Sequence, residues 1–361
     1  MPIDSEPDQA PAIRGRAALL GFSAFRLALY AFLVLACAHS ERRNHAPEAR
    51  FEGESMGTTY TVVLVAELSQ GERSELERII RAALDEVDAA MSTYRDDSEL
   101  SRFNRAPPGE PFSLSPETLE VVSEAIAVSE MTGGAFDVTV APLVRLWGFG
   151  PLADRDRLPT DEELAAAMSR VGYRHLAVDR AGGTLAKDLD GVECDLSAIA
   201  KGYGVDRVAS ALERFGIGNY MIELGGEVRT LGVNPSGEPW KIAIEKPVFI
   251  GRDIERIVPL SGLSVATSGD YRHFITVDGV TRSHLIDPRT GRPVQQGLAS
   301  VSVVEKNCMR ADALASALFV LGPDDGLELA SRKGLAALFL IRNEDGSFEE
   351  RSTPAFDALT S

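Results

Sequence analysis

Asp312 and Ser316, four residues apart in MRADALASALFVLG (residues 309–322), are the side chains of this sequence best suited to hold a hard cation. On a helix that spacing puts both on one face. A carboxylate and a hydroxyl would then give two oxygens to an ion such as Mg2+, with water, backbone carbonyls or phosphate completing its shell. The bland alternative is a carboxylate that favours the helix dipole beside a small packing residue. A second chemical signal is DLSAIAKGYGVD, residues 195–206. A helix opening behind Asp195 and Ser197 offers unpaired N–H groups and a positive dipole end to an anion such as a phosphate, although a plain N-cap accounts for the same two residues.

Three further segments carry polar groups that could meet a ligand. His284, in SHLIDPRTGRPV (residues 283–294), could carry a proton, and Asp287 could accept a ligand hydrogen bond or cap a turn. LGGE, residues 224–227, allows either close approach of backbone to a ligand or a tight turn. GAFDVTVAPLVRLWGFG, residues 134–150, is aromatic-rich, and Asp137 is the residue that a packed core absorbs least readily.

The elements around these segments follow from periodicity and turn chemistry. Helices are predicted over 71–91, 116–132, from 160, after Lys201, over 311–321 and near 324–333. Strands are predicted over 56–66, 175–178, 240–245, 262–266, 274–277, 299–304 and 335–341, with a strand, glycine turn and strand over 220–233. Helices and strands alternate irregularly and hairpin signals are frequent. That pattern predicts an α+β fold with mixed and antiparallel sheets packed on helices.

Composition narrows the partners. A formal net charge of -17 excludes the clustered basic surface that a nucleic-acid binder needs. A polyanionic small molecule could be held only if helix N-termini and a divalent cation offset the global field. Residues 17–36 form an apolar run with Arg14 and Arg16 ahead of it and Arg26 within it, followed by Cys37. The pattern reads as an export signal ending at a lipoprotein cleavage site, with Cys37 acylated; a single uncleaved membrane anchor is the alternative. Residues 1–37 are thus the export segment, 38–50 a polar tether, and 51–361 the body, facing the periplasm or cell exterior. Cys194 and Cys308 sit in apolar surroundings and read as free and structural.

Taken in order, SMGTTY, MSTYRDDSELSRFN, GAFDVTVAPLV, DLSAIAKGYGVD, ELGGEVRTLG, PWKIAIEKP, SVATSGDYRHF, SHLIDPRTGRPV and ADALASALFVLG closely resemble the ApbE family of flavin transferases. The resemblance runs from about Ser55 to about Leu340. It implies a body of ApbE-like fold and transfer of FMN from FAD to a threonine or serine hydroxyl of an acceptor protein, with release of AMP. The acceptor would belong to a periplasm-facing redox complex, and a lipid anchor on the enzyme is common in the family. It also implies an FAD site in which Met56 and Tyr94 flank a ring, Ala135, Phe136 and Asp137 help hold the nucleotide, and Ser197, Tyr203, Glu223, Gly225 and Ile286 line the rest. Mg2+ would lie between Asp312, the Ser316 hydroxyl, the Ala200 carbonyl and the pyrophosphate. Many members carry Thr at the position of Ser316 and Gly at that of Ala141. Asp312 or His284 would take the proton of the incoming hydroxyl. Two other outcomes use the same site: an FAD pyrophosphatase that frees FMN, and a lipoprotein that binds FAD without chemistry.

Overall fold

Met56 and Gly57 both take positive φ, 50° and 73°, which suits a two-residue hairpin turn to the twist of its strands. The turn joins β1 (Glu48–Ser55) to β2 (Thr58–Val65), paired without a break from Ser55 opposite Thr58 to Glu48 opposite Val65. In the computed structural model, which describes residues 46–149, 157–247, 254–269, 274–277, 280–295 and 297–360, these strands open an eight-stranded sheet. The sheet continues through β3 (Tyr220–Leu224), β4 (Glu227–Leu231), β5 (Ser264–Gly269), β6 (Leu298–Glu305), β7 (Ala336–Arg342) and β8 (Phe348–Ser352). Neighbours follow chain order and every pairing is antiparallel. Among the described residues, parallel pairing outside named strands is one bridge, Val140 with Glu193. The α+β expectation is borne out.

Side chains alternate across the sheet as the strand period requires. One face, with Tyr60, Val62, Leu64, Ile222 and Leu224, meets helices. The other, with Val63, Val228, Val265, Val304, Leu338 and Leu340, is covered by the hairpin Trp240–Glu245 and Ile254–Leu260 and by Phe356.

The helices are α1 (Gln70–Met91), α2 (Glu99–Arg105), α3 (Pro116–Met131), α4 (Ala141–Leu146), α5 (Asp161–Met168), α6 (Ala200–Arg214), α7 (Cys308–Leu321), α8 (Asp325–Lys333) and α9 (Pro354–Thr360). Local chemistry starts several of them. Ser69 with Glu72 and Thr160 with Glu163 form reciprocal capping boxes on α1 and α5. Ser115 caps α3 ahead of Pro116. α1 buries Leu76, Ile80, Ala83, Leu84, Val87 and Met91 on one stripe, where α6 packs with Val205, Val208, Ala209 and Leu212. α7 is different: nearly all its residues are buried, because it lies on β5 and β6 beneath α3, α6 and α8. A helix apolar all round belongs in such a place.

One boundary differs from the sequence reading. Residues 48–50, expected in the tether, begin β1, where Ala49 and Phe51 are buried because their faces meet the helical layer. Ala46–Ser361 form one compact unit. The export segment, Cys37 and tether residues 38–45 lie outside the described residues. Among the described residues no helix is long and apolar enough to cross a membrane. Cys194 and Cys308 are free and buried, as expected.

Candidate active site

The start of α6 corrects one expectation. Asp195 and Ser197 do not cap it: Asp195 Oδ1 accepts from the Ser197 amide at 2.9 Å and from its hydroxyl at 2.5 Å, closing a local turn before the helix. The helix begins at Ala200 behind Ile199, which offers no side-chain acceptor. Its orphan donors need partners from elsewhere. Asp312 Oδ2, from α7, accepts from the Gly202 amide at 3.0 Å.

The reverse contact also exists. Asp206, in α6, accepts through Oδ1 from the Cys308 amide at 3.1 Å and through Oδ2 from the Met309 amide at 2.9 Å, at the first turn of α7. Arg229 of β4 balances its charge, with Nη1 at 2.5 Å from Oδ1. The helices touch at Gly202, where an added Cβ would stand 2.7 Å from the Cys308 carbonyl carbon and 2.8 Å from Met309 Cα. Only glycine permits that approach.

Asp312 and Ser316 do share a face, both nearly fully buried at 3% and 6% exposure. The Ser316 hydroxyl lies 2.9 Å from that of Ser268 on β5. Lys201 lies beside this pair and is tied by Nζ to Glu227 Oε1 at 2.7 Å. Burial pushes the Asp312 carboxyl above its ordinary range, against the pull of the Lys201 charge and the Gly202 N–H. Burial likewise raises Glu227, opposed by Lys201. Burial alone would lower Lys201, but the charges of Glu227 and Asp312 outweigh it and raise its pKa. Among the described residues, four buried side-chain atoms make no hydrogen bond, and two of them, Glu227 Oε2 and the Tyr203 hydroxyl, belong to α6 or its partners. Such atoms are costly unless something pairs with them.

Two hairpin turns close in on the same helix start. Met56 has positive φ, uncommon for a residue with a side chain. It packs between the two helical-side core clusters, close to Gly204 of α6. Gly225, at φ 63°, donates its amide to the Thr59 carbonyl at 3.1 Å, and a Cβ there would meet Thr58 Cγ2 at 2.8 Å. Glu223 Oε1 accepts from the Gly226 amide at 2.8 Å. Ala200, Tyr203, Asp312 and Met56 thus lie on or against the first turns of α6, with Ser316 one turn further along α7 and Glu223 and Gly225 in the hairpin turn beside Thr58 and Thr59.

A second group forms around α4. Ile286 packs with Leu143 and Trp147. Trp147 Nε1 donates to the Gly291 carbonyl at 2.7 Å. His284 is half-buried, its ring edge-to-face with Phe149 at 6.5 Å. Asp287 is held by the Arg289 amide and guanidinium, three contacts of 2.9 Å, which makes it a turn organiser. Asp137 is also committed internally: Oδ1 accepts from the Thr139 amide and hydroxyl, and Oδ2 from the Tyr173 amide at 2.7 Å. Burial nevertheless raises its pKa, with these donors opposing. Ala135 and Phe136 are buried beside it, whereas Tyr94 stands 70% exposed after α1. The groups are joined through the chain before α6, where the Asp195 amide donates to the Val138 carbonyl at 2.7 Å.

Sequence reasoning missed Lys201, Asp206, Glu227 and Ser268, although each lies in a segment already singled out. Their signal was charge or hydroxyl within those segments; their partners are distant in the chain. A cavity of about 310 Å³ near Arg102, Arg105 and Phe112 involves none of the candidate residues. Among the described residues, no three His, Cys, Asp or Glu side chains are grouped to hold a metal ion.

The family model for the ApbE family matches residues 56–339. An FAD:protein FMN transferase of Vibrio cholerae is 46% identical over 316 residues, covering 88% of this chain and 94% of that protein. One from Haemophilus influenzae is 45% identical over 313 residues, covering 85% and 90% respectively. Among solved structures, the Vibrio cholerae flavin transferase ApbE superposes with TM-score 0.80 at 46% identity, covering 87% of this chain and 99% of that one. The apo Pseudomonas stutzeri flavinyl transferase ApbE gives TM-score 0.80 at 40% identity, covering 88% and 98%.

Proposed function

This chain belongs to the ApbE family, and on that premise we propose that it transfers FMN from FAD to a threonine or serine hydroxyl of a target flavoprotein and releases AMP. The observation that carries the chemistry is the buried Asp312 and Ser316 pair against the start of α6. These residues fit magnesium by donor chemistry. A carboxylate, a hydroxyl and the Ala200 carbonyl are hard oxygens, and Mg2+ keeps positions for phosphate and water. A bound cation would also favour the ionised form that burial disfavours in Asp312. When bound, magnesium would supply charge neutralisation on the pyrophosphate oxygens.

The chain's own residues do the remainder. The positive end of α6 faces the anion, offsetting repulsion from an acidic protein. The Lys201 ammonium adds charge there, and its tie to Glu227 keeps it in place. Met56 and the exposed Tyr94 offer surfaces for the flavin or adenine ring. The acceptor hydroxyl attacks the phosphorus on the FMN side in line with the departing AMP. Its proton passes to His284. An imidazole suits that role near neutral pH, whereas Asp312 is buried and engaged with Gly202.

We also read residues 1–37 as an export segment that leaves Cys37 acylated, so that the body acts on a redox complex outside the cytoplasmic membrane. The apolar run before Cys37 supports this. Mass spectrometry of the mature N-terminus checks it, and an unmodified, uncut chain refutes it.

The activity is tested by incubating the purified protein with FAD, Mg2+ and an acceptor. Flavin fluorescence that stays on the acceptor through denaturation is expected, with AMP in equal amount. Free FMN and AMP instead would indicate a pyrophosphatase, and unchanged FAD a binding protein.

A further inference from the structure

We infer that Asp206 is a positioning residue for the transfer reaction: from α6 it fixes the first turn of α7, and so the placement of Asp312 against the start of α6. The inference rests on the reading of Asp312 as a metal ligand.

A helix leaves its first N–H groups without partners. At the start of α7 the Asn307 side chain accepts only from Arg310, at 3.2 Å. Asp206 takes the amides of Cys308 and Met309 with its two oxygens. Its negative charge is favourable at that helix end, and the Arg229 guanidinium holds it in place. Asp312 follows one turn later and caps α6 in return. Each helix therefore supplies the carboxylate that its neighbour's N-terminus lacks, and the Gly202 contact allows no gap between them. Loss of the Asp206 cap frees the first turn of α7 to rotate or fray, and Asp312 moves with it. The partners of the Asp206 carboxylate are the Cys308 and Met309 amides and Arg229, none of them assigned to FAD or magnesium, so it acts through α7. Supporting groups behind a metal ligand commonly carry such effects.

The test is titration of FAD into the protein by calorimetry, once with Mg2+ and once with EDTA. Asp206→Asn keeps the size but cannot accept both amides. It is expected to lose roughly tenfold of the FAD affinity that Mg2+ adds, with affinity in EDTA unchanged. Thr353→Ala is the control for simple destabilisation. It removes a buried hydroxyl that bridges Leu335 and Ala337 near β8. It is expected to lower the melting temperature and keep the whole metal-dependent gain. An Asp206→Asn protein that melts lower yet keeps that gain overturns the inference. Should Asp206→Asn fail to fold, Arg229→Lys removes the guanidinium that holds the Asp206 carboxylate, and so loosens both caps. A several-fold loss of the metal-dependent gain then supports the inference, and an intact gain overturns it. No Mg2+ effect in the wild-type protein removes the metal reading itself, which is a separate result.

Discussion

Replacing Gly202 by alanine tests the helix contact on which the candidate site depends. The new Cβ would lie 2.7 Å from the Cys308 carbonyl carbon and 2.8 Å from Met309 Cα. Carbon atoms pack at about 3.5–4.0 Å, so α6 and α7 must separate by about 1 Å. Backbone atoms cannot step aside as a side chain does. Overpacking of this kind costs about 1–3 kcal/mol. The same movement stretches the 3.0 Å bond from Gly202 to Asp312 beyond hydrogen-bond range. A bond to a charged, buried acceptor contributes about 1.5–3 kcal/mol. Alanine returns about 1 kcal/mol through helix propensity. The net loss is roughly 2–5 kcal/mol, a fall in melting temperature on the order of 3–8 °C for a body of this size. Gly204 is the internal control, because it gains the same propensity. Its Cβ would meet only side-chain atoms, Leu224 Cδ2 at 3.2 Å, Met56 Sδ at 3.3 Å and Leu84 Cδ2 at 3.4 Å. Gly204→Ala should melt within a few degrees of wild type, by thermal unfolding followed by circular dichroism. FMN transfer, read by in-gel flavin fluorescence, should fall strongly in Gly202→Ala and little in Gly204→Ala. Equal melting and equal activity of the two variants would refute the close-contact argument.

Other expectations follow from single groups. Asp312→Ala should cut AMP release by roughly a hundredfold or more while circular dichroism shows the fold retained, since a bound metal's charge stabilisation contributes several kcal/mol. Asp137 has its pKa raised by burial. Its stabilising contribution is therefore full below its ordinary value of 3.8 and lost as pH rises through the higher folded value. Urea unfolding across acidic to neutral pH should show a shallower decline for Asp137→Asn, set against a pH-independent loss of about 1–3 kcal/mol where Asn offers no second acceptor to the Tyr173 amide. Met56→Gly relieves a positive φ of 50°. It should melt near wild type, as lost packing and relieved strain offset within about 1 kcal/mol. Its FAD affinity, by fluorescence quenching, should weaken several-fold; an unchanged affinity would remove Met56 from the ring-binding surface.

The sequence by itself determined what depends on near neighbours. Capping boxes at Ser69 and Thr160, the Ser115-Pro116 start of α3 and the glycine turn of LGGE are written within a few residues, and all form. The shared face of Asp312 and Ser316 follows from helix periodicity alone. The ordered run of motifs was enough to indicate the family. The tether boundary was misplaced because residues 48–50 read as polar and charged, while their strand identity comes from pairing with β2. The tertiary structure decided which distant groups meet. Asp195 and Ser197 have the right types to cap α6, but the acceptor at Gly202 is Asp312, 110 residues away. Asp206 reads as one more polar residue of an amphipathic helix until it is seen at the amides of Cys308 and Met309, over a hundred residues on. Glu227 looks like a strand residue after a turn, and only the fold brings Lys201 to it. Caps and turns are satisfied by local backbone geometry, which a short window encodes. A buried charge takes whatever partner the packing of the entire chain delivers, and no short window encodes that.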